Sequence, residues 1–162
     1  MKVISADPRR RVNKKTRSAT LLAYFSVVLL AAACGSTATP TPANTIQGIV
    51  WQWVSVTNQS TGELTSVPNP ENYTVAFNAD GTLNGKADCN TFNGSYSQEN
   101  GFTIKLGATT MAFCGEASLD QQYLQLLGDI AAGGPDGQGG LALETAGGEQ
   151  RMIFTNGGKA DK

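Results

Sequence analysis

The 162-residue chain contains no histidine. That absence excludes Ser–His and Cys–His nucleophilic pairs and removes the usual imidazole ligands of metal sites. Basic residues are scarce too, once their positions are considered. Seven of the twelve stand before Cys34; Lys86, Lys105, Arg151, Lys159 and Lys162 remain, against twelve of the thirteen acidic residues. The part after Cys34 is therefore acidic and lacks a basic patch, which excludes nucleic acid and disfavours anionic lipid surfaces as direct partners. Long apolar runs are missing as well. The stretch from Ala19 to Ala33 is about fifteen residues, short of the ~20 that span a bilayer as a helix. No internal repeat is visible, and the cysteines are Cys34, Cys89 and Cys114 alone.

What is present begins with an address. Lys2, Arg9, Arg10, Arg11, Lys14, Lys15 and Arg17 form a basic head before the apolar run, so residues 1–33 read as a secretory signal peptide. Arg9-Arg10-Arg11 loosely resembles a twin-arginine signal. Nothing later in the chain suggests a cofactor inserted before export, and a general secretory head is the simpler reading. Leu30-Ala31-Ala32-Ala33-Cys34 resembles a bacterial lipobox, with small residues next to the cysteine and Ala31 where an aliphatic residue is preferred. The resemblance implies cleavage before Cys34, its lipidation, and a membrane partner held by two or three acyl chains, where one chain binds only marginally. Residues 34–46, with Pro40 and Pro42 among Thr, Ser and Ala, cannot build a core and read as a tether of ~3 Å per residue.

From Gln47 to Asn156 the chain is long enough for one small domain, and residues 157–162 read as a loose tail. Ile49 to Val56 reads as a strand buried on both sides, Trp51 and Trp53 on one face and Val50, Val54 and Val56 on the other. Tyr73, Val75 and Phe77 alternate with polar or small neighbours. Asn78-Ala79-Asp80-Gly81 then predicts a tight hairpin turn, with Thr82 to Lys86 returning. Thr91 to Ser97 is a further strand, Asn100-Gly101 a second turn, and Phe102, Ile104 and Leu106 alternate again. Between Glu116 and Ile130 the period changes: Leu119, Tyr123, Leu126, Leu127 and Ile130 fall on one helical stripe, and Ser118 with Gln121 resembles a capping box. The glycine-rich passage Gly133 to Gly140 reads as a flexible connection, since a phosphate loop would need a strand before it and a helix after it. Leu141 to Leu143 and Met152 to Phe154 predict a last strand pair around Gly147-Gly148. One helix on an antiparallel sheet gives an α+β fold.

The domain resembles the META (HslJ-like) family of small bacterial domains. The residues that carry the resemblance are Trp51 or Trp53, Phe77 before Asp80-Gly81, Gly85, Cys89-Asn90, Phe92, Gly94, Tyr96, Thr110-Met111-Ala112-Phe113-Cys114 and the helix from Leu119 to Leu127. Asp88 stands where the family more often has a small residue. The resemblance implies a small sheet curled into a partial barrel with one helix across it, an envelope location, and an association with stress tolerance or secretion-type assemblies. It implies no enzymatic activity.

With Cys34 committed to lipid, Cys89 and Cys114 are an isolated pair outside the cytoplasm, most simply a disulfide stabilising the fold by ~3 kcal/mol. A soft-metal site using both sulfurs and Met111 would want further ligands that the chain lacks, so neither metal nor cofactor is expected. Asn90, Asn93 and Gly94 read as residues of unusual backbone angle and local hydrogen bonding. Asp80 with Asp88, and Glu116 with Asp120, read as solvated charge, and Lys86 and Lys105 as water-facing strand residues, so no enzyme is expected. Trp51, Trp53, Tyr73, Phe92 and Tyr96 are the candidate lining of an apolar ligand pocket, with core packing as the simpler alternative. The expectation is a lipid-anchored, exported protein whose domain binds or scaffolds an envelope protein partner. A carrier of a small apolar ligand or lipid is the alternative, and a redox sensor through Cys89 and Cys114 a third reading.

Overall fold

The computed structural model describes residues 45–160. The signal peptide, Cys34 and the tether up to residue 44 lie outside the described residues, while Ile46, expected in the tether, is buried in the core. In chain order the elements are β1 (Ile49–Asn58), β2 (Leu64–Ser66), β3 (Tyr73–Phe77), β4 (Thr82–Ala87), β5 (Asn90–Ser97), β6 (Thr103–Thr109), α1 (Asp120–Gly128), β7 (Ile130–Pro135), β8 (Leu141–Thr145) and β9 (Gln150–Lys159), with short 3₁₀ turns at Pro70–Asn72 and Ala146–Gly148. The strands pair antiparallel in the order β6-β5-β4-β3-β1-β9-β8-β7, and β2 adds to one end of β1. The sheet curls until its two edges meet at one point, where the Phe102 N–H donates to the Ala131 carbonyl at 3.1 Å. The result is an α+β half-barrel, with α1 laid across the concave face.

The turns follow from local chemistry. Gly81 takes φ +82°, and the Asp80 side chain accepts from both the hydroxyl (2.6 Å) and the N–H (3.0 Å) of Thr82. Asp-Gly closes this hairpin because glycine adopts the left-handed angle without a side-chain clash. The β4–β5 hairpin is tighter, with Asp88 at φ +57° and its N–H donating to the Asn72 carbonyl.

The ladders contain four register shifts, one of them between Ile49 and Trp51, and the other three bear on the alternation and the seam. The ladder between β1 and β9 gains an extra residue between Trp53 and Ser55, at Val54. The inserted residue reverses the alternation, so Val56 joins Trp51 and Trp53 on the buried face while Val50 and Val54 are half-exposed. A second bulge in β6 is satisfied by the Asn93 side chain, whose carbonyl oxygen accepts from the Ala108 N–H at 3.0 Å. A third, at Ala131 in β7, leaves the carbonyl that receives Phe102 at the sheet's seam.

Three further expectations change. Gly133, Gly134 and Pro135 are not a flexible connection but the end of β7, paired with Leu143, Ala142 and Leu141. The last strand runs on to Lys159, so the first residues of the expected tail are β9, and Ile49 pairs with Lys159. The helix starts at Asp120 rather than Glu116. Gly115 at φ +100° reverses the chain, Leu119 occupies the cap position, and Ser118 Oγ accepts from the Asp120 N–H at 3.2 Å without a reciprocal bond from Gln121.

The core lies between the sheet's concave face and α1. Tyr123 and Leu127 of the helix are fully buried, and Tyr123 stacks on Trp53 with ring centroids 5.1 Å apart. Tyr73 and Phe92 meet Tyr123 edge-on at 5.8 and 6.1 Å. A second aromatic group, Phe77, Tyr96 and Phe102, fills the end nearer the seam. Edge-to-face and stacked contacts of this kind add ~0.5–1.5 kcal/mol each beyond the area they bury.

Candidate functional site: a clamped loop

The five aromatic residues expected to line a pocket are brought together in part, but as core. Trp51, Trp53, Tyr73 and Phe92 are at most 5 % exposed, and the space between Trp53, Tyr73 and Phe92 is occupied by Tyr123, a residue the sequence reading placed in the helix stripe and not with them. The Trp51 indole N–H is committed to the Ile46 carbonyl at 2.8 Å and that of Trp53 to the Ser55 carbonyl at 2.9 Å. Tyr96 sits apart from that group, its hydroxyl between Gln47 Nε2 (2.7 Å) and the Asn78 carbonyl (2.9 Å). Concavities open to solvent lie elsewhere. One of about 650 Å³ lies beside the exposed face of α1 and is lined by Gln122, Gln125, Asp129, Thr145, Glu149 and Gln150. Another of about 410 Å³ lies behind Phe113.

The two carboxylate pairs named from the sequence are placed differently: one is split and the other borders a concavity. Asp80 and Asp88 stand at opposite ends of β4, and hydrogen bonds from Thr82 hold the Asp80 carboxyl below its ordinary range. Asp120 accepts from Asn90, while Glu116 is exposed. Lys86 Nζ donates to Asn72 Oδ1 at 2.9 Å, and Lys105 is exposed on the edge strand β6. Among the described residues, no three His, Cys, Asp or Glu side chains are grouped to hold a metal ion.

The structure concentrates its buried polar chemistry around Asn90, which is 1 % exposed. Its amide pairs with both backbone groups of Ala112, accepting from the N–H at 2.7 Å and donating to the carbonyl at 2.9 Å. The same amide nitrogen faces Asp120 Oδ2 at 3.0 Å, and Thr110 Oγ1 donates to the Asn90 oxygen at 3.1 Å. The Thr110 N–H donates to the Thr91 carbonyl at 3.0 Å, and the Thr91 N–H donates back to Thr110 Oγ1 at 2.9 Å. One residue on each side closes the arrangement: Cys89, next to Asn90, is joined by a disulfide to Cys114, with Cα atoms 5.5 Å apart. A buried amide with every position satisfied fixes its neighbours, because each bond lost would strand a desolvated group at ~1–3 kcal/mol.

The segment held in this way has no regular secondary structure from Thr110 to Gly115. Its two large apolar side chains remain outside the fold: Met111 is 81 % and Phe113 84 % exposed. Sequence reading found Cys89, Cys114 and the Thr110–Cys114 motif, but not the function of Asn90. Asn90 was read with Asn93 and Gly94 as a residue of unusual backbone angle, yet all three lie within β5 without a positive φ.

The structure is an antiparallel half-barrel closed by one helix, with a cysteine-clamped loop at one end. Residues 44–157 match the META domain model, and the chain belongs to that family. The fold recurs in a solved protein from Burkholderia xenovorans, with TM-score 0.57, 19 % identity, and 70 % of this chain matched to 85 % of that one. It recurs also in a DUF4847 family protein from Bacteroides vulgatus, with TM-score 0.52, 15 % identity, and 72 % of this chain matched to 96 % of that one. No curated protein matches the sequence.

Proposed function

We propose that this is a lipid-anchored protein of the bacterial envelope whose META domain is a non-catalytic binding or scaffolding module, serving envelope integrity or the assembly of another protein. The observation that carries the reading is a contrast: the interior is filled by Trp53, Tyr73, Phe92 and Tyr123, while a covalently clamped loop holds Met111 and Phe113 in solvent. A domain built in this way acts through its surface. The alternative, a carrier of a small apolar ligand or lipid inside the curled sheet, would require that aromatic stack to come apart. The anchor rests on the sequence, where the basic head, the apolar run and Leu30-Ala31-Ala32-Ala33-Cys34 stand in the order that lipidation requires.

The test is the intact mass of the full chain after processing in a bacterial host. The expected product begins at Cys34, carries acyl chains, and sediments with membranes; Cys34→Ser releases it to the soluble fraction. An unacylated product, or membrane association that survives Cys34→Ser, would overturn the anchor. A catalytic turnover abolished by replacing one carboxylate would overturn the non-catalytic module.

A further inference from the structure

The clamped loop also indicates what it binds. We infer that Met111 and Phe113 dock an apolar-faced, cationic segment of another protein, an inference that rests on the domain being a surface-acting binding module. Single exposed apolar residues are ordinary on a protein surface. Here two large ones stand two residues apart on a loop with little freedom to tuck them away. Asn90 holds both backbone groups of Ala112 between them, Thr110 is tied to Thr91, and the disulfide fixes the far side. A rigid display loses little side-chain and loop entropy when it binds, which favours association.

Charge selects among occupants. The end of the sheet that bears the loop carries Glu71 and Asp88, which flank the Asn72–Asp88 backbone bond, together with Glu116 and Asp120 beside the concavity behind Phe113. At this end Lys86 bonds Asn72, and the Arg151 guanidinium is already paired with Glu144. Four carboxylates against one ammonium repel an anionic lipid surface, and repel a second copy presenting the same face. They attract a partner whose apolar groove is bordered by Lys or Arg.

The course of the chain agrees. The described structure begins at Thr45, and Gly48 bonds the Phe77 carbonyl at the turn end of β3. Cys89 stands two residues after Ala87, which pairs with Tyr73 at the other end of that strand, about 13 Å away for four strand residues. The loop and the point where the tether joins the domain thus lie at opposite ends of the sheet.

The probes are two fluorescent amphipathic peptides of equal length, one Leu/Lys and one Leu/Glu, titrated by anisotropy against the purified, processed full chain. The Leu/Lys peptide is expected to bind at least about tenfold more tightly than Leu/Glu, and the double variant Met111→Ser/Phe113→Ser to weaken it by about tenfold. Leu64→Ser serves as the control, because Leu64 is 61 % exposed but lies on β2; it is expected to leave binding unchanged. An unchanged melting temperature and an intact disulfide confirm that the variants fold. Equal binding by the double variant, an equal loss with Leu64→Ser, or no preference between the peptides overturns the inference. So does Phe113-dependent self-association, or Phe113-dependent binding to phosphatidylglycerol vesicles. None of these readouts depends on the acylation of Cys34, so failure here and failure of the anchor are separately visible.

Discussion

At the scale of single residues, the core treats its polar atoms in two opposite ways. The Tyr73 hydroxyl accepts from the Leu119 N–H at 3.0 Å and so fixes the start of the helix. The Tyr123 hydroxyl is fully buried with no hydrogen-bond partner, and burial pushes its ionisation well above the ordinary phenol range. The phenol is therefore neutral at any ordinary pH, and its desolvation is uncompensated. Tyr123→Phe keeps the stack on Trp53 and removes that cost. Urea unfolding is expected to show stability unchanged or raised by up to ~1–2 kcal/mol. A clear loss would mean that the hydroxyl has a partner after all. Asn90 shows why such distinctions are hard to read from sequence. Beside Cys89 it looks like a turn residue, yet its partners Thr110, Ala112 and Asp120 lie 20 to 30 positions away.

At the scale of elements, what was legible is what local chemistry decides. Asp80-Gly81 gave the β3–β4 hairpin, Asn100-Gly101 the β5–β6 connection, and the spacing of Tyr123 and Leu127 the buried face of α1. What was not legible depends on the neighbouring strand. Gly133 and Gly134 have little strand propensity of their own and extend only because β8 pairs with them. The bulge at Val54 shifts the phase of β1 without any glycine to signal it. Gly85 is a third case: it lies inside β4, opposite Val75 on one side and Phe92 on the other. A Cβ there would collide with the Thr74 carbonyl oxygen and with the Phe92 ring. The carbonyl belongs to a paired strand and cannot yield, and the ring is held by Tyr123. Gly85→Ala is therefore expected to destabilise by about 3 kcal/mol, the upper range of overpacking, with the loss read from the urea midpoint. An unchanged midpoint would show that β3 and β4 can separate more easily than their register implies.

At the scale of the whole molecule, the half-barrel is open along most of its seam, so cross-links outside the sheet matter. The Phe102–Ala131 bond joins the two edges at one point. The Cys89–Cys114 disulfide joins the β4–β5 hairpin to the segment leading into α1, across 25 positions. It thereby holds the helix's entry close to the sheet that the helix covers. In the chain-entropy account a loop of this length is worth ~3 kcal/mol, a large share of what a domain of this size retains. Cys89→Ser/Cys114→Ser is therefore expected to lower unfolding stability by about that amount. Its local effect should be greater than its global one. Asn90 and Thr110 still bond the loop, but Phe113 and Gly115 lose their fixed end, and the Phe113 peptide bond becomes accessible by local opening. Chymotrypsin under native conditions should then cut after Phe113 well before any other aromatic residue, whereas the disulfide-bonded chain resists at the same protease concentration. Equal resistance of the two forms would mean that the hydrogen bonds around Asn90 clamp the loop without the sulfurs, and that the disulfide serves the fold rather than the display of Met111 and Phe113.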